Sequence, residues 1–180
     1  MPALSRTYGL TAIAFHWLTA ILVLVAFILG PGGSEASVYS EGRDFDRELH
    51  EVLGLTIFGL TLLRLAWRAT HPAPGLAGVP EWMKRASRLV QGLLYALLVM
   101  APLTAISGAW LEGHPLTLGI LGRVPPMLPK GHAAGSALAE VHGWLGDAIL
   151  WLAGLHAAAA LFHHFVLKDG VLLSMLRPRR

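Results

Sequence analysis

The sequence predicts an all-α fold, an integral membrane four-helix bundle with both termini on the cytoplasmic side, and three observations carry that prediction. Hydrophobic residues make up 54% of the 180 and charged residues only 14%, where soluble domains carry roughly a quarter charged. Four apolar runs approach or exceed the ~20 residues that cross ~30 Å of hydrocarbon at ~1.5 Å per residue. Basic residues crowd one set of alternate connections, with ten of the fourteen on one side and four on the other.

The first run, near 10–30, reads "LTAIAFHWLTAILVLVAFILG" and is uncharged, with His16 near its middle. Small residues from Gly33 to Ala36 would suit a cleavable secretory signal. The run is longer than the usual ~7–15 residues of such a signal, so it is read as a retained helix. The second run, near 49–67, carries Glu51 at one end and Arg64 toward the other. The third, near 89–111, has no charge; Pro102 is expected to kink it, with Thr104 and Ser107 near enough to satisfy freed backbone groups. The fourth, near 141–167, holds a single formal charge, Asp147. The connections are rich in Gly, Pro and polar residues, which stop helices and favour water. One domain over 1–180 is expected, without repeats.

Lys and Arg are enriched in loops that stay cytoplasmic. Arg6, Arg64, Arg68, Lys84, Arg85, Arg88, Lys168, Arg177, Arg179 and Arg180 define that side, leaving Arg43, Arg47, Arg123 and Lys130 outside. The first outer loop is acidic, with Glu35, Glu41, Asp44, Asp46 and Glu48. The basic pI of 9.7 is thus an orientation signal, and no interleaving of aromatic and basic residues suggests a nucleic-acid surface. The partner implied is membrane lipid. No cysteine is present, so disulfides, iron–sulfur clusters and thiolate metal sites are excluded.

Four histidines fall at matching depths. His16 lies in the inner half of the first helix and His50 at the outer start of the second; His142 opens the fourth, and His156 follows fourteen residues deeper. Fourteen residues are about 21 Å of axis and end roughly 40° short of four full turns, so both imidazoles of the fourth helix share a face. His50 then pairs with His142 outside, and His16 with His156 inside. An imidazole in lipid is costly unless paired or ligated, and one imidazole on each side of an iron is the ligand set of a six-coordinate b haem. Zinc prefers four ligands and each level offers two. The competing reading is that these are polar hydrogen bonds between helices.

Gly54, Gly143, Gly146 and Gly108 lie near the outer pair and leave room for a planar ligand, although small residues also serve ordinary helix contacts. Arg64 follows His50 by fourteen residues and so reaches the depth of His156. There it would either pair with haem propionates or extend to the inner surface beside Arg68. Asp147 lies about 140° around its helix from His142, off the ligand face. His71, His114 and His132 fall in loops beside Pro or Gly and read as solvated. The six Trp lie mostly toward segment ends, as an interfacial belt would.

The fragments "FHWL", "LH" and "VHGWLGD", and above all "GLHAAAALFHHFVLKDGVLLSMLRPRR" at the C-terminus, resemble the prokaryotic cytochrome b561 family across essentially the whole chain. The resemblance implies a bacterial inner-membrane protein with two b haems, whose axial ligands, carried over by motif, are His16, His50, His142 and His156. Within the family-like "HH", His163 or His164 could serve a quinone site or be ordinary interfacial polar residues. One branch of the family passes electrons from superoxide to ubiquinone, and other members resemble cytochrome subunits of hydrogenases and formate dehydrogenases. Two functions are therefore expected to compete. One is an oxidoreductase carrying electrons from superoxide or an outer-side redox protein to ubiquinone; the other is an anchor and electron-transfer subunit for a separate dehydrogenase or hydrogenase. A haem-free transporter would need a polar path, and Asp147 with Arg64 is too little for one.

Overall fold

The computed structural model describes residues 7–30, 38–39, 42–74 and 78–177. Arg6, Glu35, Glu41, Arg179 and Arg180, which enter the charge count, and the stretch from Gly33 to Ala36 lie outside the described residues. Four long helices form the described part: α1 (Leu10–Ile28), α2 (Asp44–Thr70), α3 (Glu81–Glu112) and α4 (His132–Phe162). Each is long and apolar enough to cross a membrane. Between α3 and α4, β1 (Leu116–Thr117) pairs antiparallel with β2 (Arg123–Val124).

Three helices start earlier than the apolar runs suggest, because hydropathy marks the hydrocarbon and not the helix. α2 begins at Asp44 instead of 49, with Asp44 and Asp46 in its first turn, where carboxylates complement the helix dipole. α3 begins at Glu81 instead of 89, directly after Pro80; the intervening Lys, Arg and Ala are good helix formers. α4 begins at His132 instead of 141 and ends at Phe162, and His163–Leu167 continues it as a π-helical turn. His132 is therefore a helical residue and not a loop residue: its Nδ1 lies 2.7 Å from Glu112 Oε2, joining the C-terminal end of α3 to the N-terminal end of α4. His71 is likewise no loose loop residue, since it caps α2 and stacks on Trp67 with ring centroids 3.7 Å apart.

In hydrocarbon every polar group needs an internal partner. Thr19, Thr56 and Thr104 meet this requirement by donating their hydroxyls to the carbonyls of Phe15, Val52 and Ala101, one turn back, a pattern available to helical Ser and Thr. α3 stops where Gly113 adopts φ 84°, the left-handed closing conformation that a side chain would disfavour.

The helices do not pack evenly. α3 lies closest to α4, while α1 packs on α2 and α2 on α3. Gly108 belongs to the α3–α4 contact: a Cβ there would sit 3.3 Å from the Gly135 carbonyl oxygen and 3.4 Å from the Ala139 nitrogen. The expectation that Gly108 leaves room for a ligand is thus corrected; its missing side chain lets two backbones approach. The backbones of α1 and α2 stand further from α4, and the histidine pairs span that separation.

Both ends of the described chain meet at one end of the bundle. Tyr8 N donates to the Ser174 carbonyl at 3.3 Å, and Trp17 Nε1 donates to the Met175 carbonyl at 2.8 Å. At the opposite end Glu51 ties the β-hairpin to α2, accepting from Thr117 N at 2.8 Å and from Arg47 at 2.9 Å.

Candidate functional site

The structure brings together the pairs that depth and spacing select. His50 of α2 meets His142 of α4 with ring centroids 6.0 Å apart and planes at 83°. His16 of α1 meets His156 of α4 at 6.2 Å and 77°. An iron bound on each side by an imidazole nitrogen at about 2 Å, with each nitrogen about 1 Å from its ring centre, would hold the centroids roughly 6 Å apart. The separations therefore fit a six-coordinate haem iron at each level. Among the described residues no group of three or more His, Asp or Glu gathers as a bare metal ion would require.

The outer pair is oriented by the backbone of neighbouring helices. His50 Nδ1 lies 2.8 Å from the Ala26 carbonyl oxygen of α1, and His142 Nδ1 lies 2.8 Å from the Ala101 carbonyl oxygen of α3. A carbonyl only accepts, so each Nδ1 carries the proton and each Nε2 keeps its lone pair for a metal. Ala101 immediately precedes Pro102, which lies inside a continuous α3. These two carbonyls escape sequence reasoning because a backbone acceptor has no residue signature.

Open space accompanies the outer pair. Gly54 and Gly146 each lie one turn further into the membrane than their histidine, and a Cβ on either would meet nothing within 4 Å. Gly143 is similarly open, while a Cβ at Gly30 would come within 3.4 Å of His50 Cε1. A planar macrocycle needs this kind of clearance beside its ligands.

At the inner pair Arg64 Nη2 lies 3.4 Å from His16 Nδ1, and its guanidinium carbon stands 5.3 Å from the centre of the Tyr95 ring. Arg64 thus faces His16 and does not extend to the surface beside Arg68. Tyr95 is a further residue the sequence does not flag, since an aromatic in an apolar run looks like packing. Its hydroxyl is buried and has no hydrogen-bond partner among the described residues. A guanidinium with a spare hydroxyl beside it suits a carboxylate such as a haem propionate.

The two adjacent histidines near the C-terminus diverge. His163 Nδ1 pairs closely with the Asp169 carboxylate, whereas His164 lines a cavity of about 310 Å³ with Phe165, Lys168, Gly170 and Leu173. Asp147 is exposed on α4, away from the face that carries His142 and His156, as the helical angle implies.

Two of the four expected outer cations are held by carboxylates. Arg47 binds Asp44 at 2.8 Å and Glu51 at 2.9 Å, and Arg123 binds Glu48. Lys130 lies along the C-terminal end of α3, where a Cβ at Gly113 would come 2.6 Å from its Cε.

Comparison with known proteins agrees with this geometry. The family model described as prokaryotic cytochrome b561 matches residues 7–178. The chain is 33% identical over 176 residues to "Cytochrome b562" of Cereibacter sphaeroides, covering 96% of each chain. It is 31% identical over 170 residues to "Cytochrome b561 homolog 2" of Escherichia coli K12, covering 94% of this chain and 90% of that one. It is 26% identical over 187 residues to "Probable superoxide oxidase CybB" of Yersinia pestis, covering 97% and 98%. Four membrane-length helices, paired intramembrane histidines and a match along nearly the whole chain converge: the protein belongs to the prokaryotic cytochrome b561 family, bacterial membrane cytochromes that bind b-type haem and transfer electrons.

Proposed function

We propose that this chain is a bacterial inner-membrane cytochrome that binds two b haems, one at each histidine pair, and transfers electrons from superoxide on the outer side to ubiquinone. Both termini lie in the cytoplasm, as the ten-to-four distribution of basic residues indicates. One observation carries the reading: two imidazole pairs, each at a separation that suits an iron, lie one above the other across the bundle. On α4 the two levels are about 21 Å apart, which takes electrons across most of a bilayer.

Bound haem supplies reversible one-electron chemistry at each level. The residues do the rest. His50 and His142 present Nε2 because their Nδ1 protons are engaged by carbonyls. Arg64 and Tyr95 would hold a propionate of the inner haem. The cavity beside His164 receives the quinone head group, with the His163–Asp169 pair next to it as a proton donor. Two superoxide anions give up one electron each and leave as O2; ubiquinone takes both electrons with two protons and becomes ubiquinol. The relative from Yersinia pestis, by its name, supports this donor.

The experiment is to supply purified protein with a superoxide source and ubiquinone and follow ubiquinol. Ubiquinol formation abolished by superoxide dismutase supports the reading. A second reading, the anchor and electron-transfer subunit of a dehydrogenase, draws on the hairpin tip, where Ile120 and Leu121 project fully exposed on the outer side as an apolar contact for a partner. It gains if ubiquinol appears only when a dehydrogenase is added.

A further inference from the structure

A second cavity, about 300 Å³, opens between the end of α2 and the start of α3 and is lined by no histidine. Arg68, Lys84, Ser87, Arg88 and Gln91 line it, with Glu81 as its single carboxylate. Its depth follows from the sequence. Arg68 is the first charge beyond the apolar run of α2, and Lys84 and Arg88 are charges preceding the apolar run that starts at Leu89. The cavity therefore lies where hydrocarbon gives way to headgroups. Trp67 and Trp82 lie in the same turns, as aromatic residues do at that level.

The lining is organised as a cationic cleft. Arg68 reaches across from α2 and contacts Gln91 Oε1 at 3.4 Å, and Gln91 donates in turn to Ser87 Oγ at 2.8 Å. Glu81 holds Lys84 at 2.9 Å and lies 4.0 Å from Arg88. Three cations against one carboxylate leave an excess of two positive charges. Arg68 and Arg64 are a single turn apart but serve different places, since Arg64 faces His16 and Tyr95 while Arg68 faces α3. Toward the membrane interior α3 exposes Leu89 and Leu93, which suit acyl chains.

We propose that this cleft binds the phosphodiester of an anionic glycerophospholipid, with Arg68 and Arg88 donating to the phosphate oxygens. Guanidinium groups present paired donors that match phosphate geometry, and basic clefts between helices at headgroup level recognise such lipids. A zwitterionic lipid carries the same phosphate, but its cationic headgroup opposes the excess charge of the cleft.

The test uses the full chain, purified in mild detergent, stripped of lipid and examined by native mass spectrometry with added phosphatidylglycerol, cardiolipin or phosphatidylcholine. Both anionic lipids should bind about tenfold more tightly than phosphatidylcholine, and the double variant Arg68→Gln with Arg88→Gln should lose about tenfold in that binding. Its haem spectrum should be unchanged, which shows that it has folded, and Arg68→Lys with Arg88→Lys should restore part of the affinity. Equal binding of anionic and zwitterionic lipids, or a Gln variant that binds as the parent does, overturns the proposal. Displacement of the lipid by millimolar inorganic phosphate assigns the cleft to free phosphate and overturns the lipid source. A shift in the inner haem potential of Arg68→Gln with lipid binding intact returns Arg68 to the haem site and also overturns it.

Discussion

His50 and His142 face each other across the gap between α2 and α4 with ring centroids 6.0 Å apart, and each is turned by a carbonyl from a third or fourth helix. All four helices thus contribute to the outer level. Replacing His50 by Ala removes one ligand and leaves the inner pair untouched, about 21 Å along α4. The expected result is loss of the outer haem, half the pigment, with the inner haem's reduced spectrum intact. An optical redox titration of the purified variant checks it; two remaining redox transitions would refute the assignment.

The space beside that pair gives a second prediction. Gly54 and Gly146 face open volume one turn inward of the outer histidines. Gly54→Leu or Gly146→Leu should fill it and exclude the outer haem while every histidine remains. A bulky side chain in open space strains nothing in the haem-free chain, so the variant should still accumulate in membranes. Unchanged haem content in both variants would show that the space serves something else.

These levels were legible in the sequence because the rise and pitch of a helix turn residue numbers into depth and angle, and His16, His50, Arg64, His142 and His156 need only those two quantities to be placed. The helix ends were not. The first turns of α3 are charged, and hydropathy is blind to a helix that continues through the headgroups. The orienting carbonyls of Ala26 and Ala101 have no residue signature. Tyr95 reads as packing until Arg64 is seen over its ring. Gly108 illustrates the opposite error: absence of a side chain signals close approach, but the sequence does not say whether ligand or backbone approaches.

Arg64 stands beside His16 and over Tyr95. Neutralising it as Arg64→Gln withdraws a positive charge from the inner haem and disfavours its extra electron. At an effective dielectric near 20 and a distance of about 10 Å the loss is on the order of 1–2 kcal/mol, or roughly 50–100 mV for one electron. The inner midpoint potential should fall by that amount while the outer one stays within experimental scatter. Tyr95→Phe, which removes only a hydroxyl, should shift it in the same direction by less. Inner potentials that are unchanged in both variants would detach these residues from the haem.

Superoxide is an anion, and of the outer cations Arg47 and Arg123 are held by carboxylates. Lys130, beside Gly113 at the C-terminal end of α3, is a further cation available to attract the donor. Lys130→Gln should slow haem reduction by superoxide about twofold at low salt, and the difference should shrink as salt screens the charge. Stopped-flow reduction at several ionic strengths measures both effects; a rate independent of Lys130 and of salt would exclude electrostatic guidance. Arg123→Gln should slow haem reduction at least as much, because it also leaves the Glu48 carboxylate unpaired to repel the anion.

The most direct measurement of the central claim is the number of haems carried by each chain in the purified native protein, obtained from pyridine haemochrome absorbance and quantitative amino-acid analysis of the same sample. Two b haems per chain, both low-spin and with separate midpoint potentials, is the predicted result. One haem per chain, or none, would contradict it.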